Sequence, residues 1–570
     1  MKLPKMFSIQ IALVLLSVSF LCIAESAAVD NNRLQASPQS NEEINEQTQK
    51  QKTQASEGEN ADKMAKVNSD DTPKSLDHIQ STFRLVKNKA KKLSEKPFER
   101  TGANIPEQYS NMNYDQYMAI HFDPDKSLWH QDKQFELQFF HPGFLYTDPV
   151  TIKVVNKDKS VKTLNFSSDQ FKYYGPSESL KDIESSGLGY AGFRVHYPLS
   201  EQVNKQEMMV FLGASYFRLV GPSQQYGISA RGLAIDTAEP NGEEFPFFSE
   251  FYVIEPDDNQ EHLIIFAVLN SESVSGAYKF TVASDINTSV SVESEIYARK
   301  DVNKLGIAPL TSMFLQGSAS LRKFDDFRPQ VHDSDGLLVH TSDDRWLFRP
   351  LVNPRALSVV SFSNVNPKGF GLLQRDINFA NYQDAQANYH KRPGLWVKPS
   401  QDWGEGRVEL VEIPTDSETN DNIVTYWVPK QPLKAGESMA FNYVISTVHH
   451  NPSSLQRAYV VRTANAWGAI PGEPNPPEKT HRRMIVDFYS DKLALVDSKV
   501  KMEAQVNALG GEISNVNVFK LPDNKTWRLA FEVKTKDDSD VVDLRANLMF
   551  RGKAISEYWH YVYKESEVND

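Results

Sequence analysis

The chain has 570 residues and a formal net charge of -12, so nucleic-acid phosphates would be repelled and nucleic-acid binding is not expected. This length exceeds what one hydrophobic core usually serves, and two folded domains are expected. The single cysteine is Cys22, inside an N-terminal segment with the layout of a removable signal, which excludes disulfides, thiolate metal sites and a cysteine nucleophile from the mature chain.

Lys2 and Lys5 precede an apolar run at 9–23, and the small residues Ser26, Ala27 and Ala28 follow it. That predicts a cleavable general-secretion signal over 1–28, because no arginine pair stands before the run. No later apolar run is long enough to cross a bilayer, so stable membrane insertion is not expected. Residues 29–74 are mainly Gln, Asn, Ser, Glu and Lys. Such a segment cannot bury enough apolar surface to offset its ordering entropy, and a disordered polar tether is expected. Leu76, Ile79, Phe83, Val86, Ala90 and Leu93 then recur at spacings of three and four. This is the stripe of an amphipathic helix, expected to pack on the domain that follows rather than on a partner.

Short runs rich in Val, Phe, Tyr and Ile, broken by Gly, Pro, Asn and Asp, predict one large β-sandwich over 75–448. The best short helix candidate inside it is 381–390. The polar run His449-His450-Asn451-Pro452 opens an expected linker at 449–460. Beyond it, at 461–570, three alternating strand faces stand out: Val500, Met502, Ala504 and Val506; Trp527, Leu529, Phe531 and Val533; Val542, Leu544, Ala546, Leu548 and Phe550. A small immunoglobulin-like sandwich without a disulfide is the expected fold there, making the whole chain all-β.

The chemistry-bearing window is 325–427. It carries Asp325-Asp326-Phe327-Arg328-Pro329, His332-Asp333-Ser334-Asp335-Gly336, Gln374-Arg375-Asp376, Tyr382-Gln383-Asp384, Asp402-Trp403-Gly404-Glu405-Gly406 and Glu418-Thr419-Asn420-Asp421-Asn422. Four of the eight tryptophans, Trp346, Trp396, Trp403 and Trp427, fall within it. Aromatic faces beside carboxylates suit a glycan, whose C–H faces stack and whose hydroxyls need polar partners. Each feature also has a plainer use. Asp and Asn are common turn formers, and tryptophans pack cores more often than they bind sugars. His332 has no second histidine at ligand spacing, so no metal and no cofactor are expected. Ser215 lacks the flanking glycines of a nucleophile elbow. Arg194, Arg218 and Arg231 fit anion clamps and structural ion pairs equally well.

Several phrases carry a resemblance: Gly192-Phe193-Arg194-Val195-His196-Tyr197-Pro198, Phe211-Leu212-Gly213-Ala214-Ser215-Tyr216-Phe217-Arg218, Tyr226-Gly227-Ile228-Ser229-Ala230-Arg231-Gly232-Leu233-Ala234 and Leu305-Gly306-Ile307-Ala308-Pro309-Leu310-Thr311-Ser312-Met313-Phe314. With the window above, they resemble the osmoregulated periplasmic glucan biosynthesis family of Gram-negative bacteria, proteins G and D, over almost everything from Phe98 to Tyr563. The signal without a twin arginine is nearer the G members. The resemblance implies a mutarotase-like large sandwich, a periplasmic location and a β-1,2-linked glucan as partner. It further implies an inverting endo-β-1,2-glucanase with Asp421 as general acid and Asp333 as general base. Glu418 would keep the acid protonated; Tyr389 and Asp335 would support or relay protons. Trp403, Trp396, Arg375, Asp376, Tyr382 and Trp346 would bind substrate. Gln330 and Lys398 stand where the family usually has Glu, which bears on the sugar subsites. Two further readings stay open: a β-1,6-branching transferase using the same groove, and a non-catalytic scaffold whose small domain contacts an inner-membrane glucan synthase.

Overall fold

The computed structural model describes residues 73–100, 105–200, 204–322, 324–452, 454–536 and 539–568. The expected signal at 1–28 and residues 29–72 of the expected tether lie outside them. The chain is all-β, with its sheets packed as sandwiches.

Two large sheets form the main body. One has ten strands and runs in space from Glu136–Phe140 through Gly192–Tyr197, Gln206–Leu212, Tyr216–Leu219, Ser229–Arg231, Leu305–Ser312, Ile423–Pro429 and Glu405–Glu412 to Ser358–Val365, with Leu233–Ile235 paired to Leu305–Ser312 off this path. The second has fifteen strands. Its centre is the antiparallel meander Phe247–Ile254, His262–Asn270, Val274–Ser284 and Thr288–Ala298. Strand alternation decides what goes inside: Val290, Val292 and Ile296 are fully buried, while Ser291, Glu293 and Glu295 between them keep water contact. Each such inward aliphatic side chain contributes roughly 1.5–3 kcal/mol. The faces meet through aromatic pairs, Phe193 on Phe251 at 5.1 Å, Phe211 on Phe280 at 5.2 Å and Phe217 on Phe280 at 5.4 Å between ring centroids.

The helix Pro73–Ser94 lies on the outer face of the meander. Val86 and Ala90 are buried against Tyr252, Phe266, Val268 and Ala277, and Phe83 stacks on Phe266 at 5.5 Å. The guanidinium of Arg299 donates to the carbonyl of Leu93 (2.8 Å) and anchors the last helical turn. The expected helix at 381–390 is a correction. Only the turn Phe379–Tyr382 and the 3-10 turn Tyr389–Lys391 form, because Gln383 and Asn388 adopt left-handed backbone angles of 56° and 48° and break the path between them.

At the C-terminal end, Tyr459–Trp467, Arg482–Tyr489, Trp527–Thr535 and Gly511–Lys520 form a four-stranded sheet. It packs on Glu503–Leu509, Val541–Phe550 and Tyr558–Lys564, around a core that includes Trp527, Trp559, Phe531 and Met484. Those three strands continue the fifteen-stranded sheet through a parallel pairing of Leu347 with Tyr558 and Phe348 with Trp559. A buried bidentate ion pair, Arg375 to Glu557 at 2.6 and 2.9 Å, locks the same seam.

Candidate functional site

The site grows from one buried segment, Ser312 to Gln316, which both candidate acids touch through their neighbours. Asp421 stands two residues before the strand Ile423–Pro429. It is positioned by Asn422, whose side chain accepts from the Phe314 N–H (2.8 Å) and donates to the carbonyls of Phe314 and Ile413 (3.0 Å each). Asp333 arrives from the other side, after the short strand Val331–His332 that pairs with Phe314–Gln316. Its own N–H donates to the Met313 carbonyl at 2.9 Å, and the hydroxyls of Ser334 and Ser312 bond at 2.7 Å. A segment held this way on both sides leaves its flanking carboxyls little freedom to wander.

The two carboxyls have opposite surroundings. Burial pushes the Asp421 carboxyl up to about 6, and the neighbouring charge of Asp333 adds to this, while Arg218, Arg392 and Arg231 oppose it. Its Oδ2 is buried and accepts no hydrogen bond. Asp333 is instead ion-paired to Arg392. Arg392 is itself fixed: its Nη2 donates to the Ala387 carbonyl (3.0 Å), and its guanidinium lies 4.3 Å from the Tyr389 ring centre. A Cβ at Gly227 would stand 3.0 Å from both Cβ and Cδ of Arg392, so a side chain there would press on that arginine.

From Tyr389 the network continues outward. The Tyr389 hydroxyl donates to Glu418 (2.7 Å), and Arg328 reaches Glu418 (2.8 Å), Asp384 (2.7 Å) and Asp326 (2.6 Å). Behind Asp421 lies Tyr216, whose phenol burial pushes up to about 12, with Arg231 opposing and Glu243 and Asp421 reinforcing. Arg231 stands 5.2 Å from the Tyr216 ring centre and pairs with Glu243 at 2.7 Å. Arg218 donates to Ser229 at 2.8 Å. The result is a carboxyl raised to about 6 beside an ion-paired carboxylate, with three arginines and two phenols around them.

The other sequence candidates divide. Asp335 accepts the N–H groups of Arg375 (2.9 Å) and Asp376 (3.0 Å) on Oδ2, and burial pushes it up to about 6. It braces the chain rather than facing Asp421 through any hydrogen bond. Asp376 accepts from Gln330 (2.8 Å) and Asn381 (2.6 Å), and Tyr382 is buried with its hydroxyl on the Asp376 carbonyl (2.7 Å). Four expected sugar contacts are packed or paired within the fold. Arg375 is spent on the seam with Glu557. Trp346 and Trp396 stack on each other at 5.6 Å in the C-terminal core. Trp396 lies over Gly369, where a Cβ would meet its ring at 2.3 Å. Trp403 is packed among Trp427, Phe441 and Tyr443 inside the large sandwich. All three indoles are buried. Glu418 is bonded by Arg328 and Tyr389, and Asp333 is a carboxylate whose charge raises Asp421. Both ring nitrogens of His332 are engaged by Gln330 and Gln374 at 2.9 Å each.

Arg392 went unnoticed in the sequence, where nothing in His390-Lys391-Arg392-Pro393 marks it. Arg328 and Asp384 stood in the quoted phrases without a role. Opposite charges that converge from segments far apart in the chain leave no local signature.

Comparison with known proteins supplies the remaining constraint. Residues 82–563 match the family model described as periplasmic glucan biosynthesis protein, MdoG. A protein from Ralstonia nicotianae named glucans biosynthesis protein G is 42% identical over 480 residues, covering 83% of this chain and 94% of that protein. A protein of the same name from Serratia proteamaculans is 42% identical over 487 residues, covering 85% and 93%.

Proposed function

The chain belongs to the family of periplasmic glucan biosynthesis proteins, and on that premise we propose that it acts in the periplasm on β-1,2-linked glucan as an inverting endo-β-1,2-glucanase. The observation that carries this reading is the contrast between the surroundings of Asp421 and Asp333. An inverting hydrolase needs one carboxyl that holds a proton for the departing glycosidic oxygen and one carboxylate that takes a proton from water on the opposite ring face. Asp421, pushed up to about 6 and with an unpartnered buried oxygen, suits the first role. Asp333, ion-paired to Arg392, suits the second. Environments that separate two carboxyls in this manner are how acid and base are told apart.

In the proposed step, Asp421 gives its proton to the bridging oxygen as the C1–O bond breaks. Water adds to C1 from the other face, and its proton passes toward Asp333, directly or through hydroxyl groups. Glu418, held by Tyr389 and Arg328, orders the outer part of the cleft.

The test is incubation of the purified mature protein with linear β-1,2-glucan, following new reducing ends and the anomer first released, with Asp421→Asn beside it. Hydrolysis that yields the inverted anomer and disappears in the variant supports the assignment. Full hydrolytic rate in Asp421→Asn would sink it. Tight glucan binding by both proteins with no products would transfer the role to a scaffold.

A further inference from the structure

The stacking surface expected of the tryptophans is missing from the acid cluster, because Trp346, Trp396 and Trp403 are buried in the cores. Another aromatic stands there instead. Phe327 is 76% exposed, more than any other large aromatic side chain among the described residues. It precedes Arg328 directly, and its ring centre lies 6.0 Å from that guanidinium, which in turn donates to Glu418 at 2.8 Å. Phe379, 45% exposed, projects from the neighbouring turn and meets His390 edge-on at 5.3 Å. The two segments are stitched together twice, by Gln330 to Asp376 (2.8 Å) and by Arg328 to Asp384 (2.7 Å).

We propose that Phe327, flanked by Phe379, is a sugar-stacking platform that binds the glucan chain where it leaves the acid cluster. The inference rests on the reading of the protein as glucan-acting and adds a subsite to it. A protein partner would call for a contiguous apolar patch. Here Phe327 stands beside Arg328, which is bonded to Asp326 and Glu418. Alternation of an apolar ring with hydrogen-bonding groups matches a pyranose, which has an apolar C–H face and a rim of hydroxyls. The exposure of Phe327 means that the fold does not depend on its packing.

The experiment is calorimetric titration of linear β-1,2-gluco-oligosaccharides of increasing length into the Asp421→Asn protein, which removes turnover. The comparison adds Phe327→Ala, Phe327→Tyr and, as a control on the C-terminal sheet, Phe519→Ala. Phe327→Ala is expected to weaken binding about tenfold, with the loss growing with chain length. Phe327→Tyr should bind within about twofold of the parent, and Phe519→Ala should match it. Melting temperatures equal across the set confirm that folding is untouched. Unchanged affinity in Phe327→Ala, beside a parent that binds glucan, overturns the platform and leaves the functional reading standing. A parent that binds no β-1,2-glucan of any length overturns both.

Discussion

Replacing Asp421 by Asn should make the protein more stable while disabling it, and the size of the gain follows from the burial of its carboxyl. Moving that group from the ordinary 3.8 to about 6 makes the ionised form about 3 kcal/mol less favourable in the folded chain at pH 7. A carboxyl raised on folding contributes stability that is fully present below its unfolded value near 3.8, and that stability is lost as pH rises through about 6. Asn has the same shape and no charge to bury, so the variant should gain about 3 kcal/mol at pH 7 to 8 and almost nothing below about pH 4. The arginines around the site do not reverse this. Their pull is already included in the value near 6, and each keeps another partner: Arg392 has Asp333, Arg231 has Glu243 and Arg218 has Ser229. Asp335 is displaced in the same direction but is common to both proteins and cancels in the comparison. Urea unfolding followed by tryptophan emission suits the measurement, because Trp403 and Trp427 lie in the core of the sandwich that carries the site. Midpoints at pH 4 and pH 7.5 give the difference directly. A variant less stable than the parent at pH 7.5, or a gain equal at both pH values, would refute the argument.

The acid role carries a matching rate prediction: kcat/KM on β-1,2-glucan should fall as pH rises through about 6, since Asp421 must hold its proton, and a rate flat from pH 5 to 8 would count against it. Arg375→Ala leaves Glu557 buried and uncompensated at the seam between the sheets, which should cost about 3–5 kcal/mol in urea unfolding; a loss under about 1 kcal/mol would show that the seam does not depend on this pair. Trp403→Ala opens a cavity beside Trp427 and should destabilise by about 3–5 kcal/mol, with glucan affinity of the folded fraction unchanged. Lower affinity at undiminished stability would return Trp403 to the sugar groove.

Local rules made part of this protein legible before any coordinates. The stripe from Ile79 to Leu93 is the face of the helix that packs on the meander, since a spacing of three and four puts one face inward whatever lies beneath it. Alternation at Trp527, Leu529, Phe531 and Val533 marks a strand with one buried face for the same reason. The polar phrases around Asp333 and Asp421 announce turns between apolar strands, and both turns stand where the sequence puts them. Shared running text carries the family. Tertiary structure alone decided the rest. Trp396 is a core residue because Gly371 faces it across the sheet and Gly369 clears room for its ring, and no rule of spacing within one segment reports what another segment places opposite. Asp421 and Asp333 become a pair only because Asn422 and the 331–332 strand dock on the same residues near Phe314. One carboxyl then loses its water while Arg392, unremarkable in the chain, closes on the other. Charge states are set by desolvation and by neighbours brought from elsewhere in the fold, so the residues that could do chemistry were readable from the sequence, their expected roles came with the family resemblance, and the surroundings that set their charge came only with the fold.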